Sequence, residues 1–167
     1  SIINIISKNE PLKIAKKEEI VKENNLVDLL EEFDEMSDQF DLDAISFYDF
    51  QEYISTLCKE NGEMALFREI KNYRLDSFET YFFLDAIWDV ISAGNNDFNT
   101  GITSTVNDYF KKRSQALELT KKIINRETKL SKLNLIEISQ SGFANKHNAK
   151  LSKKVTDFLY EHHDLQL

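Results

Sequence analysis

Two aspartates on one apolar segment could take part in proton transfer or in metal binding. Asp85 and Asp89 are four positions apart, so a helix over residues 78–93 places both on one face. Paired carboxylates in a partly dry cleft could exchange a proton with a substrate or hold a divalent ion. Glu79 and Asp108 are candidates for a third ligand, but no spacing in the sequence brings them to the pair. The alternative is that the pair forms the solvent edge of a core helix.

The other reactive side chains form no complete catalytic motif. Cys58 is the only cysteine and lies in an apolar segment, which is typical of a small buried hydrophobe. His162, His163 and Asp164 lack the further ligands of a metal site, so a frayed, solvated helix end is expected there. The sequence has no Gly-rich phosphate loop, no paired cysteines and no Gly-x-Ser-x-Gly turn. It therefore predicts no catalytic residue, no cofactor and no metal, and a protein that is not an enzyme.

Charge is distributed very unevenly along the chain. Residues 1–98 carry 22 acidic and 9 basic side chains, whereas residues 99–167 carry 7 acidic and 12 basic ones. Between Lys22 and Lys59 there is no Lys or Arg, while eleven carboxylates occur. An acidic surface cannot replace the counterions of a nucleic acid, and it favours a basic partner. The acidic segment therefore predicts a basic protein partner.

The first functional hypothesis is an acidic inhibitor that covers the active cleft of a basic toxin, such as a nuclease domain. In composition alone the chain resembles bacterial immunity proteins and antitoxins, which neutralise toxins by binding them. The acids would steer association, and exposed aromatic side chains would hold the complex. The loop between Asn95 and Thr103 would supply a second contact. The residues predicted to contact the partner are Asp28, Glu31, Glu32, Glu35, Asp38, Asp41, Asp43, Phe40, Phe47, Tyr48, Asp49, Glu52, Tyr53 and Phe98.

Two other classes of function stay open. One is a helical adaptor or regulatory protein without catalysis, and the other is a metal-dependent helical enzyme that uses Asp85 and Asp89. The basic residues between 111 and 132 lack the interleaved aromatics of a stacking platform, so no nucleic-acid partner is expected. No apolar run is long enough for a membrane span, and no targeting segment is evident, so we expect a cytoplasmic location. The oligomeric state is left open.

Nearly all of the secondary structure around these residues is predicted to be helical. Ser7 to Glu10 followed by Pro11 predicts the start of a helix that runs to about residue 24. Further helices are indicated after residue 25 and after Ser46, then around residues 64–74, and over the apolar segment 78–93, which Ser77 caps and Gly94 ends. Residues 37–45 are expected to connect the first two of these.

The C-terminal third continues the helical pattern. A long helix is expected from residue 103 or 104, extending as far as 130–133, and residues 133–138 are ambiguous between helix and strand. A final helix carries Leu151 to Leu159, after a break at Gly142. The predicted fold is one all-α domain over residues 1–167, an irregular bundle of six to eight helices around the segment 77–93 with at most one short strand near 133–138. One proline and four glycines are few for a chain that turns often, which supports this fold class.

Overall fold

The computed structural model describes residues 25–141 and 146–165, and this part of the chain is mostly helical. The predicted helix from Ser7 to about residue 24 lies outside the described residues, as does Gly142. In chain order the elements are α1 (Asn25–Asp41), α2 (Phe47–Glu60), α3 (Ala65–Tyr73), α4 (Ser77–Ala93), β1 (Thr100–Gly101), α5 (Ile102–Tyr109), α6 (Arg113–Ile124), α7 (Lys129–Lys132), β2 (Ile136–Ser141), β3 (Lys146–Leu151) and α8 (Lys153–His163).

A small antiparallel sheet corrects the all-α prediction. Its strand order is β1-β3-β2, so β3 is central. Ala149 of β3 pairs with Thr100 on one side and with Ile138 on the other. The strand predicted near 133–138 exists, but it begins at Ile136 and runs to Ser141. Its partner β3 lacks the alternation of apolar and polar residues that would have indicated a strand, because only Ala149 and Leu151 of β3 are buried.

The central helix of the prediction is confirmed in α4. Ten of its residues are buried, and Phe82, Leu84 and Ile87 are fully so. The cap lies one residue earlier than the sequence predicts, because Asp76 rather than Ser77 accepts the backbone N–H of Glu79. Gly94 ends the helix in the left-handed region (φ 62°), as expected. In the described part of the chain, neither this helix nor any other has the length and apolar character needed to cross a membrane.

Aromatic rings from four helices join α4 to its neighbours. The rings of Tyr81 and Tyr109 have centroids 4.8 Å apart, and those of Phe40 and Phe50 are 4.9 Å apart. Phe33 of α1 contacts both Phe50 and Tyr81. Each such pair contributes about 0.5–1.5 kcal/mol beyond the area it buries. The cluster therefore fixes α1, α2 and α5 on the same side of α4.

The long helix predicted from residue 103 onward is interrupted twice. Phe110 is extended (φ −102°, ψ 106°) and packs against Phe78, with ring centroids 5.8 Å apart, so α5 ends before it. Arg126 adopts a left-handed conformation (φ 60°) after α6. The connector between α1 and α2 is also shorter than expected, because α1 continues to Asp41. Packing of Phe110 among aromatic rings outweighs the helical periodicity of the sequence around it.

Candidate functional site

The acids predicted to bind a partner lie on α1, on the connector between α1 and α2, and in the first half of α2. Asp28, Glu31, Glu32, Glu35 and Asp38 are all exposed. Among the described residues none of these five forms an ion pair within 4 Å. The remaining acids of the predicted set are likewise exposed, and these are Asp41, Asp43, Asp49 and Glu52. All nine acids are thus exposed, while the partner that the sequence predicts for them stays a prediction.

The predicted aromatic contacts divide into exposed and buried residues. Tyr48 is 68% exposed, Phe47 38% and Phe98 37%. Phe40, at 3%, belongs to the aromatic core, which corrects the expectation that it is available to a partner. Tyr53 is half-buried, and burial together with the nearby Glu32 carboxylate raises the pKa of its hydroxyl.

The Asp85–Asp89 pair lies in a larger cluster of aspartates than the sequence indicates. Burial, followed by the charges of Asp89, Asp108, Asp34 and Asp41, raises the pKa of Asp85 well above its ordinary value. Asp41 is an exposed residue, but partial burial of its carboxylate and the charge of Asp108 raise its pKa to about 6. The sequence points to Asp108 as a possible addition, but it gives no sign that α1 contributes two more carboxylates. Of these five aspartates, two lie on α4, two on α1 and one on α5.

This cluster is not arranged as a metal centre. No group of three or more His, Cys, Asp or Glu side chains in residues 25–141 and 146–165 has a geometry that could hold a metal ion. One carboxylate is already engaged, since Oδ2 of Asp89 accepts a 2.6 Å hydrogen bond from Oγ1 of Thr100. Glu79 points elsewhere and accepts the backbone N–H groups of Asp76 and Lys129. The hypothesis of a metal-dependent enzyme therefore gains no coordination site from the described residues.

One of the C-terminal histidines is engaged by a distant helix. Nε2 of His163 accepts the backbone N–H of Leu66 at 3.1 Å, near the start of α3. The N-cap position of that helix, Met64, offers no side-chain acceptor, so His163 takes over this function from 97 residues away. Burial, and then the charge of His162, lowers the pKa of His163. The expectation of a solvated end at these residues was wrong for His163.

Helices α5 and α6 form a second surface, for which the sequence predicted no partner. Three residues, Phe110 to Lys112, join them, and the two helices pack against each other. Strand β1 comes directly before α5, while the hairpin of β2 and β3 comes after α6 and α7 and closes back onto β1. Ala116 and Ile123 of α6 face the core. The residues of α6 and of the turn before it that are exposed are Lys111, Lys112, Arg113, Ser114, Gln115, Leu117, Glu118, Lys121 and Lys122.

Lys111, in the turn between these helices, contacts the acidic part of the chain. Its ammonium donates hydrogen bonds to the backbone carbonyl of Phe40 at 2.7 Å and to the Asp43 carboxylate. It also lies 4.4 Å from the centroid of the Phe40 ring. A groove of about 480 Å³ is lined by the α1–α2 connector on one side and by this turn on the other. Lys111 therefore joins the turn before the basic helix to the end of the acidic segment.

Comparison with known proteins adds no assignment. No protein-family model, curated protein or solved structure shows significant similarity to this chain. Function must therefore be argued from the arrangement of the chain itself.

Proposed function

We propose that residues 77–163 bind double-stranded DNA as a winged helix–turn–helix, with α6 lying in the major groove. The observation that carries the proposal is the order of elements: a helix, a short strand, two helices joined by three residues, a four-residue helix, and a hairpin. The second strand of the hairpin lies between its first strand and β1. A helix–turn–helix places its second helix against base edges while its first helix crosses the backbone. Here α5 is the first helix, α6 the second and the hairpin the wing.

The charge of α6 supports this role. Lys112 and Arg113 stand at its start, and Lys121 and Lys122 two turns later, all of them exposed. Glu118 is the one acid of the helix, and its carboxylate is 3.7 Å from the ammonium of Lys122. Cations on this face would displace condensed counterions from the phosphates, which supplies most of the affinity of such complexes. The composition of the chain predicts that it binds no nucleic acid, and this prediction is untested. The present proposal is opposed to it.

In the proposed complex the exposed face of α6 has two functions. The Arg113 guanidinium and the Ser114 hydroxyl, in the first turn, would reach base edges, where an Arg fork pairs best with guanine. Lys121 and Lys122 would neutralise phosphates and fix the register of the helix in the groove. Leu117 is 53% exposed in the middle of the same face and would contact a thymine methyl group. No catalytic step is needed for this role.

Fluorescence anisotropy with a 30-base-pair duplex tests the proposal. We expect affinity to fall steeply with salt, and the double variant Lys121→Gln/Lys122→Gln to lower the slope of log K against log salt by about 0.9 for each phosphate that it no longer neutralises. Arg68→Gln is the matched control, since it removes an exposed cation from α3, outside this surface. Absence of duplex binding at 50 mM salt would contradict the proposal. Binding to an A-form RNA duplex but not to DNA would assign the surface to RNA.

A second candidate function rests on the acidic surface of α1. We propose that it binds a basic protein, and neutralisation of a toxin such as a nuclease domain is one form this would take. The exposed acids that form no ion pair within the described residues support it, because mutual repulsion along one helix face is relieved by a cationic partner. The triple variant Glu31→Lys/Glu32→Lys/Glu35→Lys should slow association with a partner captured from the source cells. If the association rate of the wild type did not change with salt concentration, the acids would have no role in steering the partner.

A further inference from the structure

A groove of about 630 Å³ lies between α2, α3 and the start of α4, away from both surfaces described above. Ile54, Phe67 and Ile70 form its floor, and each is at most 4% exposed. Leu75 and Cys58 are half-buried along its sides. The residues that line the rest of it are Ser55, Lys59, Gly62, Lys71, Arg74, Ser77 and Thr80.

The charge of this groove is opposite to that of the chain around it. Between residues 25 and 98 there are 18 acidic and only 4 basic side chains. Three of those four cations, Lys59, Lys71 and Arg74, stand at the groove, and no acid lines it. None of the three has a carboxylate within 4 Å in the described part of the chain. A concave site lined by charges of one sign focuses its potential on an anion.

Helix electrostatics alone do not explain this grouping. Lys59 and Lys71 lie in the last turns of α2 and α3, where cations are favoured, but a helix end does not select the side on which a cation stands. Arg74 follows α3 in a left-handed conformation (φ 54°), and its carbonyl accepts the Lys129 ammonium from α7. The hydrogen bond from Lys129 of α7 therefore fixes the turn that carries the Arg74 guanidinium.

We infer that this groove binds a small amphipathic carboxylic acid, with its carboxylate among Lys59, Lys71 and Arg74 and its apolar body along Leu75 and the floor. The guanidinium fork of Arg74 matches the two oxygens of a carboxylate, and the lysines add charge. The volume is within the range of about 300–1,000 Å³ that is typical of small-molecule sites. This site is independent of the proposed DNA complex, so either can fail without the other.

Cys58 provides a reporter in the wild-type chain. It is the only cysteine, and it stands at the groove. Burial raises the pKa of its thiol to about 11, so alkylation at pH 8.5 should be slow enough to follow by mass spectrometry. An occupant of the groove would slow this reaction further, because it would cover the sulfur.

The test uses decanoate below its micelle concentration, with decanol and decylamine as matched probes. We expect decanoate alone to raise the melting temperature and to slow alkylation of Cys58. Arg74→Gln and Lys59→Gln should each weaken decanoate binding roughly tenfold, the usual loss for one charge-assisted hydrogen bond. Arg68 is the fourth basic residue between positions 25 and 98, and it does not line the groove. Arg68→Gln should therefore leave decanoate binding unchanged.

Three results would overturn the inference. Equal binding of decanol would show that the charges play no part. Binding that persists unchanged in both groove variants, with melting temperatures close to wild type, would place the ligand elsewhere. Binding of a poly-glutamate peptide in preference to decanoate, with the same dependence on Arg74 and Lys59, would assign the groove to an acidic protein segment.

Discussion

Thr100 donates a 2.6 Å hydrogen bond from Oγ1 to Oδ2 of Asp89, and this bond ties the first strand of the sheet to the central helix α4. Thr100 is buried, and its backbone pairs with Ala149 in the middle strand. The bond opposes the effect of burial, which raises the pKa of Asp89. Asp85, one turn earlier, accepts no such bond from any residue in the described part of the chain. The two members of the pair therefore differ in role: Asp89 is structural, and Asp85 is a carboxylate that the fold disfavours when it is charged.

Asp85→Asn should stabilise the protein at neutral pH. The pKa of Asp85 is raised in the fold, mainly by burial and then by neighbouring aspartates, so its protonated form is favoured there. The stability that this proton confers is fully present below the unfolded pKa near 3.8 and is lost as pH rises through the folded value. Asparagine removes the charge that burial and the neighbouring aspartates disfavour. We expect a melting temperature a few degrees above that of the wild type at pH 7.5, as for a gain of about 1 kcal/mol in a domain of this size.

The gain should disappear as the pH falls towards 4, because the wild-type carboxyl then carries its own proton. Asp28→Asn is the control, since Asp28 is exposed on α1. A melting temperature for Asp85→Asn that is equal to or below that of the wild type at pH 7.5 would contradict the burial of an uncompensated charge at this position.

His163→Ala should weaken the junction between α8 and α3. The variant removes the acceptor of the Leu66 N–H, which costs about 1 kcal/mol in comparable helix caps. The pKa of His163 is lowered in the fold, so its contribution is present above the unfolded value near 6.5 and is lost as pH falls through the folded one. The difference in melting temperature between wild type and variant should therefore shrink from pH 7.5 to pH 5.5. Tyr160→Ala, which removes an exposed side chain from the same helix, serves as the control; a difference that is constant with pH would exclude titration of His163.

The sequence predicted those features that depend on nearby residues. Ser46 accepts the N–H of Asp49 as an N-cap, and Gly94 ends α4, because both signals act within one helical turn. The run of apolar side chains in 78–93 predicted the central helix for the same reason. The acids of α1 could be identified as exposed because their apolar neighbours Leu30 and Phe33 define the buried face.

What the sequence could not predict depends on packing between distant residues. The periodicity of residues 103–124 continues through Phe110, and only its packing against Phe47 and Phe78 shows that α5 and α6 are separate. That break separates the two helices of the proposed helix–turn–helix, so the sequence pattern alone did not predict the proposed DNA surface. The aspartate cluster likewise joins Asp34 with Asp85, which are about fifty positions apart in the chain.

Asp43→Asn should strengthen DNA binding if the proposed complex forms. Asp43 engages the ammonium of Lys111 in the turn before α6, where a phosphate would otherwise bind. Both side chains are largely exposed, so the ion pair is worth less than about 1 kcal/mol, and its removal should raise affinity about twofold to fivefold. Lys111→Gln should lower affinity and abolish the effect of Asp43→Asn in the double variant. Equal gains from Asp43→Asn in the presence and absence of Lys111 would show that only net charge matters.

Glu79→Gln should separate the two functions of a buried carboxylate. Oε1 of Glu79 accepts the N–H of Asp76 in a capping box, which a glutamine oxygen can also do, whereas Oε2 accepts the N–H of Lys129 at 2.7 Å. Glutamine places an amide donor opposite that N–H, so the tie between α4 and α7 is broken while the cap is kept. We expect a loss of about 1.5–3 kcal/mol, and a larger loss for Glu79→Ala, because alanine removes the cap as well. Chemical unfolding measures both, with Glu127→Gln as an exposed control. If Glu79→Gln were as stable as the wild type, the hydrogen bond from the Lys129 N–H would contribute nothing, and α7 would be held by the burial of Leu130 and by the bond of the Lys129 ammonium to the Arg74 carbonyl.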